Sequence, residues 1–362
     1  MQLPRLDELI ANFSRLRVVV VGDFSLDKLL HLDPTLVERS ENSGRVVHQV
    51  VGIRTSPSAA GTVVNNLASL GACDLHVFGV IGDDGEGYEL CQNLRKLRCT
   101  TEGLLRFPDY RTPAVIRPLD LSSDGWTGRH PRYDIRNRIP IPEEAIDRLS
   151  RNLLEILPAV DAVIIMDQSD HPDTGVITPR LREELSRLAL AFPKVVFWAD
   201  SRRNTRHFRN IIVKPNEFEA VGRFRPIAGD EVRLTDLKAV LPRLRSETGA
   251  PVFITFGEKG ILVSDPTGKL VPGIRLQGML DPTGAGDTAT AGMVLASAAG
   301  ATTVETALMG NLVAATTIKQ IGTAGVVRPD QLREGLQQWQ EQHPRGAVDL
   351  DQLQDMTDID MN

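Results

Sequence analysis

Aliphatic, often β-branched runs alternate with amphipathic stretches of helical length along most of this chain, and that alternation narrows the folds open to it. Arg17–Gly22 (RVVVVG) is apolar at successive positions, as in a strand buried on both faces of a parallel sheet. Leu75–Gly82 (LHVFGVIG) repeats the pattern. Helical patterns cover 3–16, 62–70 and 84–97. From 143 the alternation is regular: helix 143–157, strand Ala162–Met166, helix 178–191, strand Val195–Ala199, then a short strand Ile211–Val213. Helix 235–248, strand Val252–Thr255, a hairpin over Ile261–Pro272 and helices 303–320 and 329–341 follow. The pattern predicts an α/β fold with one doubly wound, mostly parallel sheet covered by helices.

Two stretches differ in texture. In residues 28–57, Val46–Val51 reads as a strand among polar and turn residues, suggesting a small sheet standing off the main body. In residues 100–140, Arg111–Ile116 reads as a strand and Ser122–Gly128 as a loop, and arginine is dense. A guanidinium fork suits phosphate, so Arg129, Arg132 and Arg136 are candidates to clamp an anionic substrate. The other reading is a solvated, ion-paired surface, the usual fate of a charge run. Residues 343–362 are rich in aspartate with few apolar anchors and read as a disordered acidic tail.

A formal net charge of −6 over 362 residues does not suggest a nucleic-acid partner. Three cysteines without metal-ligand spacing suit a reduced, cytoplasmic protein. No basic-then-apolar leader is evident, and no apolar run approaches the roughly 18 residues of a membrane span.

Leu280–Gly300 (LDPTGAGDTATAGMVLASAAG) carries the chemistry. Asp281-Pro282-Thr283 is a turn. Gly284-Ala285-Gly286 then leave backbone N–H groups bare at the start of a helix, where the dipole adds partial positive charge. That makes an anion site of the kind that holds a phosphate. Asp287, inside it, is badly placed to bind phosphate but well placed to take a proton from a hydroxyl. The N–H groups would meanwhile stabilise charge growing on a transferring phosphoryl group. The other reading makes Asp287 a helix N-cap. After the first strand, Asp23 and Asp27 in GDFSLD (22–27) lie where open α/β sheets place ligands and are candidates to hold sugar hydroxyls. Turn chemistry is the alternative for both.

Three pieces stand at strand ends: Asn216 with Glu219, Thr255 with Gly257 and Gly260, and Gly284 to Asp287. In this order and spacing they resemble the ribokinase-like (PfkB-type) family of carbohydrate kinases, and within it the kinases that phosphorylate heptose 7-phosphate at the anomeric position. The resemblance runs from about Val18 to about Pro329. Its pieces are GDFSLD (22–27), NNLASLGA (65–72), KPNEFEA (214–220), TFGEKG (255–260), DPTGAGD (281–287) and GNLVAATTIKQIGTAG (310–325). It implies a three-layer α/β/α kinase domain over 1–342, with a β-lid from about 28–57 and 107–135 that pairs two subunits into a homodimer. It implies transfer of the γ-phosphoryl group of ATP to a sugar hydroxyl, with Asp287 as catalytic base and Gly284, Ala285 and Gly286 as the anion hole. Asn216 and Glu219 match the pair that organises Mg²⁺, largely through water. Thr255, Gly257 and Gly260 match positions near the nucleotide, Asn311 falls beside the adenine, and Asp27 matches the sugar-binding aspartate. Asp281 matches a position near the monovalent-cation (K⁺) site of some members.

The chain also departs from the family. Members usually carry a Gly-Gly pair and then an Asn in the sugar-contact motif; here the pair falls at about Ser58-Ala59, and Thr62 stands at the Asn. Ser-Ala is stiffer than Gly-Gly. Pro282 stands where Thr is common and removes a backbone donor. Bifunctional relatives continue into a nucleotidyltransferase domain, for which this length leaves no room. Two other functions fit the same fold. A nucleoside kinase would want an aromatic pocket, to which 5% aromatic content lends little help. A non-catalytic sugar-phosphate-binding homologue is favoured by the altered motif and opposed by the intact Asp287 and Asn216/Glu219 set.

Overall fold

The computed structural model describes residues 1–121, 128, 130–169, 174–227, 229–264, 268–321 and 325–355. Strand β1 (Arg17–Gly22) passes into a long β2 (Phe24–Arg39), which pairs antiparallel with β3 (Val46–Ala59). There follow β4 (Asp74–Gly82), β5 (Thr100–Phe107), β6 (Ala114–Asp120), β7 (Tyr133–Ile135), β8 (Ala162–Asp167), β9 (Val196–Ser201) and β10 (Ile212–Val213). Six strands form a parallel sheet in the order β10-β9-β8-β1-β4-β5. Val18 and Val20 of β1 enter one hydrophobic core, and Val19 and Val21 enter the other. The run needs no polar position because both its faces are covered.

The first core is closed by α1 (Leu3–Phe13), α2 (Ala60–Ser69) and α3 (Gly85–Lys96). The second is closed by α4 (Glu143–Ile156), α5 (Pro179–Ala191), the single-turn α6 (Glu217–Ala220) and α7 (Leu234–Thr248). The chain then returns to the first side with α8 (Ala285–Ala298), α9 (Thr303–Thr317) and α10 (Pro329–Gln342). The result is a three-layer α/β/α body. Among the described residues, no helix is long and apolar enough to cross a membrane.

Two further sheets adjoin it. β3, β2, β6 and β7 form one in that order. Strands β11 (Phe253–Thr255), β12 (Ile261–Val263), β13 (Lys269–Val271) and β14 (Val348–Asp349) form an antiparallel one. A parallel bridge between Val213 and Val252 links it to the edge of the main sheet.

Two local expectations change. The strand read at Arg111–Ile116 starts only at Ala114, because Thr112 is tied to the junction of β4 and α3 instead. Its N–H donates to Asp84 and its hydroxyl accepts from the Gly82 N–H, and Pro113 has no N–H to offer a ladder. The tail is ordered as far as Asp355. β14 pairs with β13, and the turn after it buries Leu350 and Leu353 against the second core. Those two leucines are anchors enough for a short segment; residues 356–362 lie outside the described residues, as do Arg129 and all of the expected 122–128 loop except Gly128.

Candidate active site

The carboxyl ends of the parallel strands converge on one edge, and the motif residues gather there. Helix α8 begins at the Gly284 cap, whose backbone is left-handed (φ +78°), a conformation glycine adopts without strain. Asp287 is the third residue of the helix, so the N-cap reading does not hold. The helix is held down by hydroxyls. Thr288 donates to the Ala285 carbonyl, and the Thr290 hydroxyl lies 3.0 Å from the Gly286 carbonyl and 2.9 Å from Asp200 Oδ2. Asp200 stands near the end of β9. Its Oδ2 also pairs with Lys214 Nζ at 3.0 Å, and side-chain exposures of 8% and 3% put both groups out of water.

Burial opposes the Lys214 charge, but Asp200, Glu219 and Asp287 outweigh it and hold the ammonium above its ordinary range. Asp287 is pushed up from 3.8 to about 7, first by burial and then by the Asp200 charge, with Lys214 and Arg202 pulling the other way. A carboxyl balanced near neutrality is suited to accept a proton.

Asn216 and Glu219 face each other across the start of α6. Asn216 Oδ1 accepts from the Glu219 N–H and Glu219 Oε2 accepts from the Asn216 N–H, each at 2.8 Å. This capping box shapes the short helix and fixes both side chains. Burial and the Asp200 charge raise Glu219 to about 7. Three carboxyls, those of Asp200, Glu219 and Asp287, thus act on one another beside Lys214 and Arg202. That surplus of negative charge fits a divalent cation held through Glu219 and Asn216.

Thr255 bridges to Asn216 in parallel register, which sets the TFGEKG turn beside the capping box. Gly257 and Gly260 both have positive φ, and a Cβ at Gly260 would collide with the Val271 carbonyl oxygen. Asn311 holds the end of β13 that faces Gly260: its amide donates to the carbonyls of Val271 and Pro272 at 3.0 and 2.9 Å. Trp339 donates to Pro272 from the other side. Asp281 is buried in the turn before α8, where its Oδ1 accepts from the Thr283 N–H.

On the acceptor side, Asp23 lines a cavity of about 180 Å³ with Ser25, Ala59, Asn137, Gln168 and Arg202. Its carboxylate accepts the N–H groups of Gln168, Ser169 and Val176, so it ties together the loop after β8. Burial, and then the Asp167 charge, raise it to about 6. Asp27 does not line this cavity; it is engaged by both the Nε and Nη2 of Arg117, strand to strand within the second sheet. Thr62 is buried in α2 and does not line it either. Arg132 and Arg136 do, and both bind the carboxylate of Asp134. Sequence reasoning missed Lys214, Thr290, Gln168 and Arg202. The signals available were the lysine heading KPNEFEA and the charged pair that follows Asp200-Ser201.

Residues 209–330 match the family model for pfkB family carbohydrate kinases. The chain is 28% identical over 315 residues to the bifunctional protein HldE of Sulfurimonas denitrificans, covering 86% of this chain and 62% of that protein. It is 30% identical over 325 residues to HldE of Desulfatibacillum aliphaticivorans, covering 88% and 62%. It therefore spans less than two thirds of the length of these relatives. Among solved structures, ribokinase from Thermotoga maritima superposes with a TM-score of 0.64 at 19% identity, over 89% of this chain and 99% of that one. Phosphofructokinase-2 from Escherichia coli, solved in complex with potassium, gives 0.66 at 16%, over 90% and 99%. These likenesses show the ribokinase-like fold. Matched segment, relatives and fold agree: residues 209–330 carry the match to pfkB family carbohydrate kinases, and the chain has the ribokinase-like fold.

Proposed function

We propose that this chain transfers the γ-phosphoryl group of ATP to a hydroxyl of a sugar phosphate, with heptose 7-phosphate as the leading candidate. The observation that carries the reading is the placement of Asp287. It lies one turn from Thr290, whose hydroxyl joins α8 to the Asp200–Lys214 pair, and directly behind the glycine turn. The acceptor hydroxyl gives its proton to the Asp287 carboxylate. Its oxygen forms the new bond to phosphorus as the bond from phosphorus to the bridging oxygen of ADP breaks. The N–H groups of Gly286 and Asp287 face the charge on the transferring group, while the Ala285 N–H closes the turn onto the Pro282 carbonyl at 3.1 Å. Asn216 and Glu219 are the residues to hold Mg²⁺, which when bound neutralises phosphate charge. Asp281 is the candidate for a monovalent cation.

The sugar occupies the cavity over Asp23. Arg132 and Arg136 set two guanidinium groups at its wall, and their forks suit an acceptor phosphate. The β2–β3 hairpin and β6–β7 form the lid. Exposed Val46, Val50, Val51 and Ile53 on that hairpin suit pairing with a second copy. ATP and sugar phosphates are cytoplasmic metabolites, and the reaction assigns the chain to that compartment. The test is ADP release from MgATP across neutral sugars, sugar phosphates and nucleosides, with Asp287→Asn as control. Turnover with one sugar-phosphate class, absent in the variant, supports the reading. A rise in melting temperature with sugar phosphate but no turnover supports a binding homologue instead.

A further inference from the structure

The acceptor cavity and the acid cluster share one cation that no motif marks. Arg202 follows β9; its N–H donates to the Asp167 carbonyl at 3.1 Å, extending the β8–β9 ladder by one bond. It stands two residues beyond Asp200, just past the end of β9. Its Nε donates to Gln168 Oε1 at 2.8 Å, and with Gln168 it lines the cavity above Asp23. Its charge also acts on both Asp287 and Glu219.

The other cations nearby are differently placed. Lys214 is buried against Asp200, and Arg132 and Arg136, which also line the cavity, pair with Asp134. Arg202 is exposed, and its guanidinium lies on the cavity wall with a bond to Gln168.

We propose that Arg202 is a catalytic residue whose guanidinium contacts the phosphoryl group in transit from the nucleotide to the acceptor hydroxyl. The proposal rests on the kinase reading above. While the phosphorus–ADP oxygen bond breaks and the phosphorus–acceptor bond forms, charge spreads over three peripheral oxygens. A planar fork donates to two of them at once. Lysine at this position keeps the charge and loses the fork.

The probe is aluminium fluoride with MgADP, which mimics the phosphoryl group in transit and needs no acceptor. The measurement is the rise in melting temperature over MgADP alone. The rise is expected in the parent protein and in Asp287→Asn, lost in Arg202→Ala and partly restored in Arg202→Lys. Gln168→Ala, which removes one hydrogen-bond partner of the arginine and leaves the guanidinium, is expected to keep part of it. With a working acceptor, Arg202→Ala lowers kcat about 100-fold while both KM values stay within about threefold. An undiminished rise in Arg202→Ala, or a variant defect confined to KM for the acceptor, overturns the proposal and leaves the kinase reading intact. No rise in the parent protein overturns both. Loss of turnover in Asp287→Asn tests the base separately.

Discussion

Lys214 Nζ lies 3.0 Å from Asp200 Oδ2, beneath the first turn of α8, with both groups almost wholly buried. The pair joins the ends of two neighbouring strands to the helix that carries Asp287, since Thr290 links Asp200 to α8. Removing one partner leaves an uncompensated charge out of water. Lys214→Met is therefore expected to cost about 3–5 kcal/mol of stability. Lys214→Met with Asp200→Leu should recover most of it, because a buried pair exchanged for apolar residues of similar volume is often near neutral. Chemical denaturation of the two single variants and the double variant checks this. Additive losses would mean that the pair does not couple.

Asp287 gives a pH dependence of definite sign. With its carboxyl raised to about 7, the base is protonated and idle in acid, so kcat/KM should climb with pH and level off above about 7. Asp200→Asn removes the like charge that helps raise it and leaves Lys214 to act alone. The acid limb should then move to lower pH by about one unit. Stability follows from the same shift. Ionising Asp287 costs the fold over the window between its unfolded value of 3.8 and about 7, and the full cost is present above that. Asp287→Asn removes the cost, so it should melt higher than the parent at pH 8, with the difference gone by about pH 4. An unmoved acid limb in Asp200→Asn, or a variant no more stable at pH 8, would contradict the assignment.

Arg132 and Arg136 both bind Asp134, which they hold below its usual range, chiefly through the hydrogen bond from Arg132. The carboxylate keeps the two guanidinium groups together at the cavity wall, where both can turn donors toward an acceptor's own phosphate. Arg132→Ala with Arg136→Ala should raise KM about tenfold or more for phosphorylated sugars and leave neutral sugars unchanged. Steady-state kinetics on a matched pair, the same sugar with and without its phosphate, decides it. Equal effects on both would mean that the arginines only shape the second sheet.

The layered body was legible because burial on both faces writes itself as an unbroken apolar run, as at Val18–Val21, and because each helix carries its own apolar face. The glycine turn before α8 was legible because its backbone demand is local. What the chain hides are the pairings across distance. Lys214 finds Asp200 only because β9 and β10 are neighbours, and Asp27 finds Arg117 across 90 residues. Arg202 looks like one more charge in an exposed run until β8 and β9 bring Gln168 beside it. The end of the chain misleads for a related reason. Two leucines among aspartates seem too few to order a segment, yet β13 offers an open edge, and Lys238 adds a bond to the Leu350 carbonyl.

Ala59 holds a glycine's conformation. It lies on the cavity wall at the junction of β3 and α2, with φ +53° and ψ −120°. At those angles a Cβ crowds the backbone, and the strain is of order 1–3 kcal/mol for a non-glycine residue. The junction is fixed from both sides: Ala60 N–H donates to the Asp23 carbonyl, and Ser58 Oγ meets Ser25 Oγ at 2.6 Å. The surroundings therefore impose the conformation, and the side chain bears the strain. Ala59→Gly relieves it but adds freedom to the unfolded chain, which offsets about 0.5–1 kcal/mol. The net expectation is a gain of about 1 kcal/mol, read as a higher denaturation midpoint at unchanged m-value. Ala59→Val should lose more than that, because a branched side chain tolerates positive φ worse still. Should glycine destabilise the protein instead, the junction would have to relax to ordinary angles in solution, and the wall of the acceptor cavity would move with it.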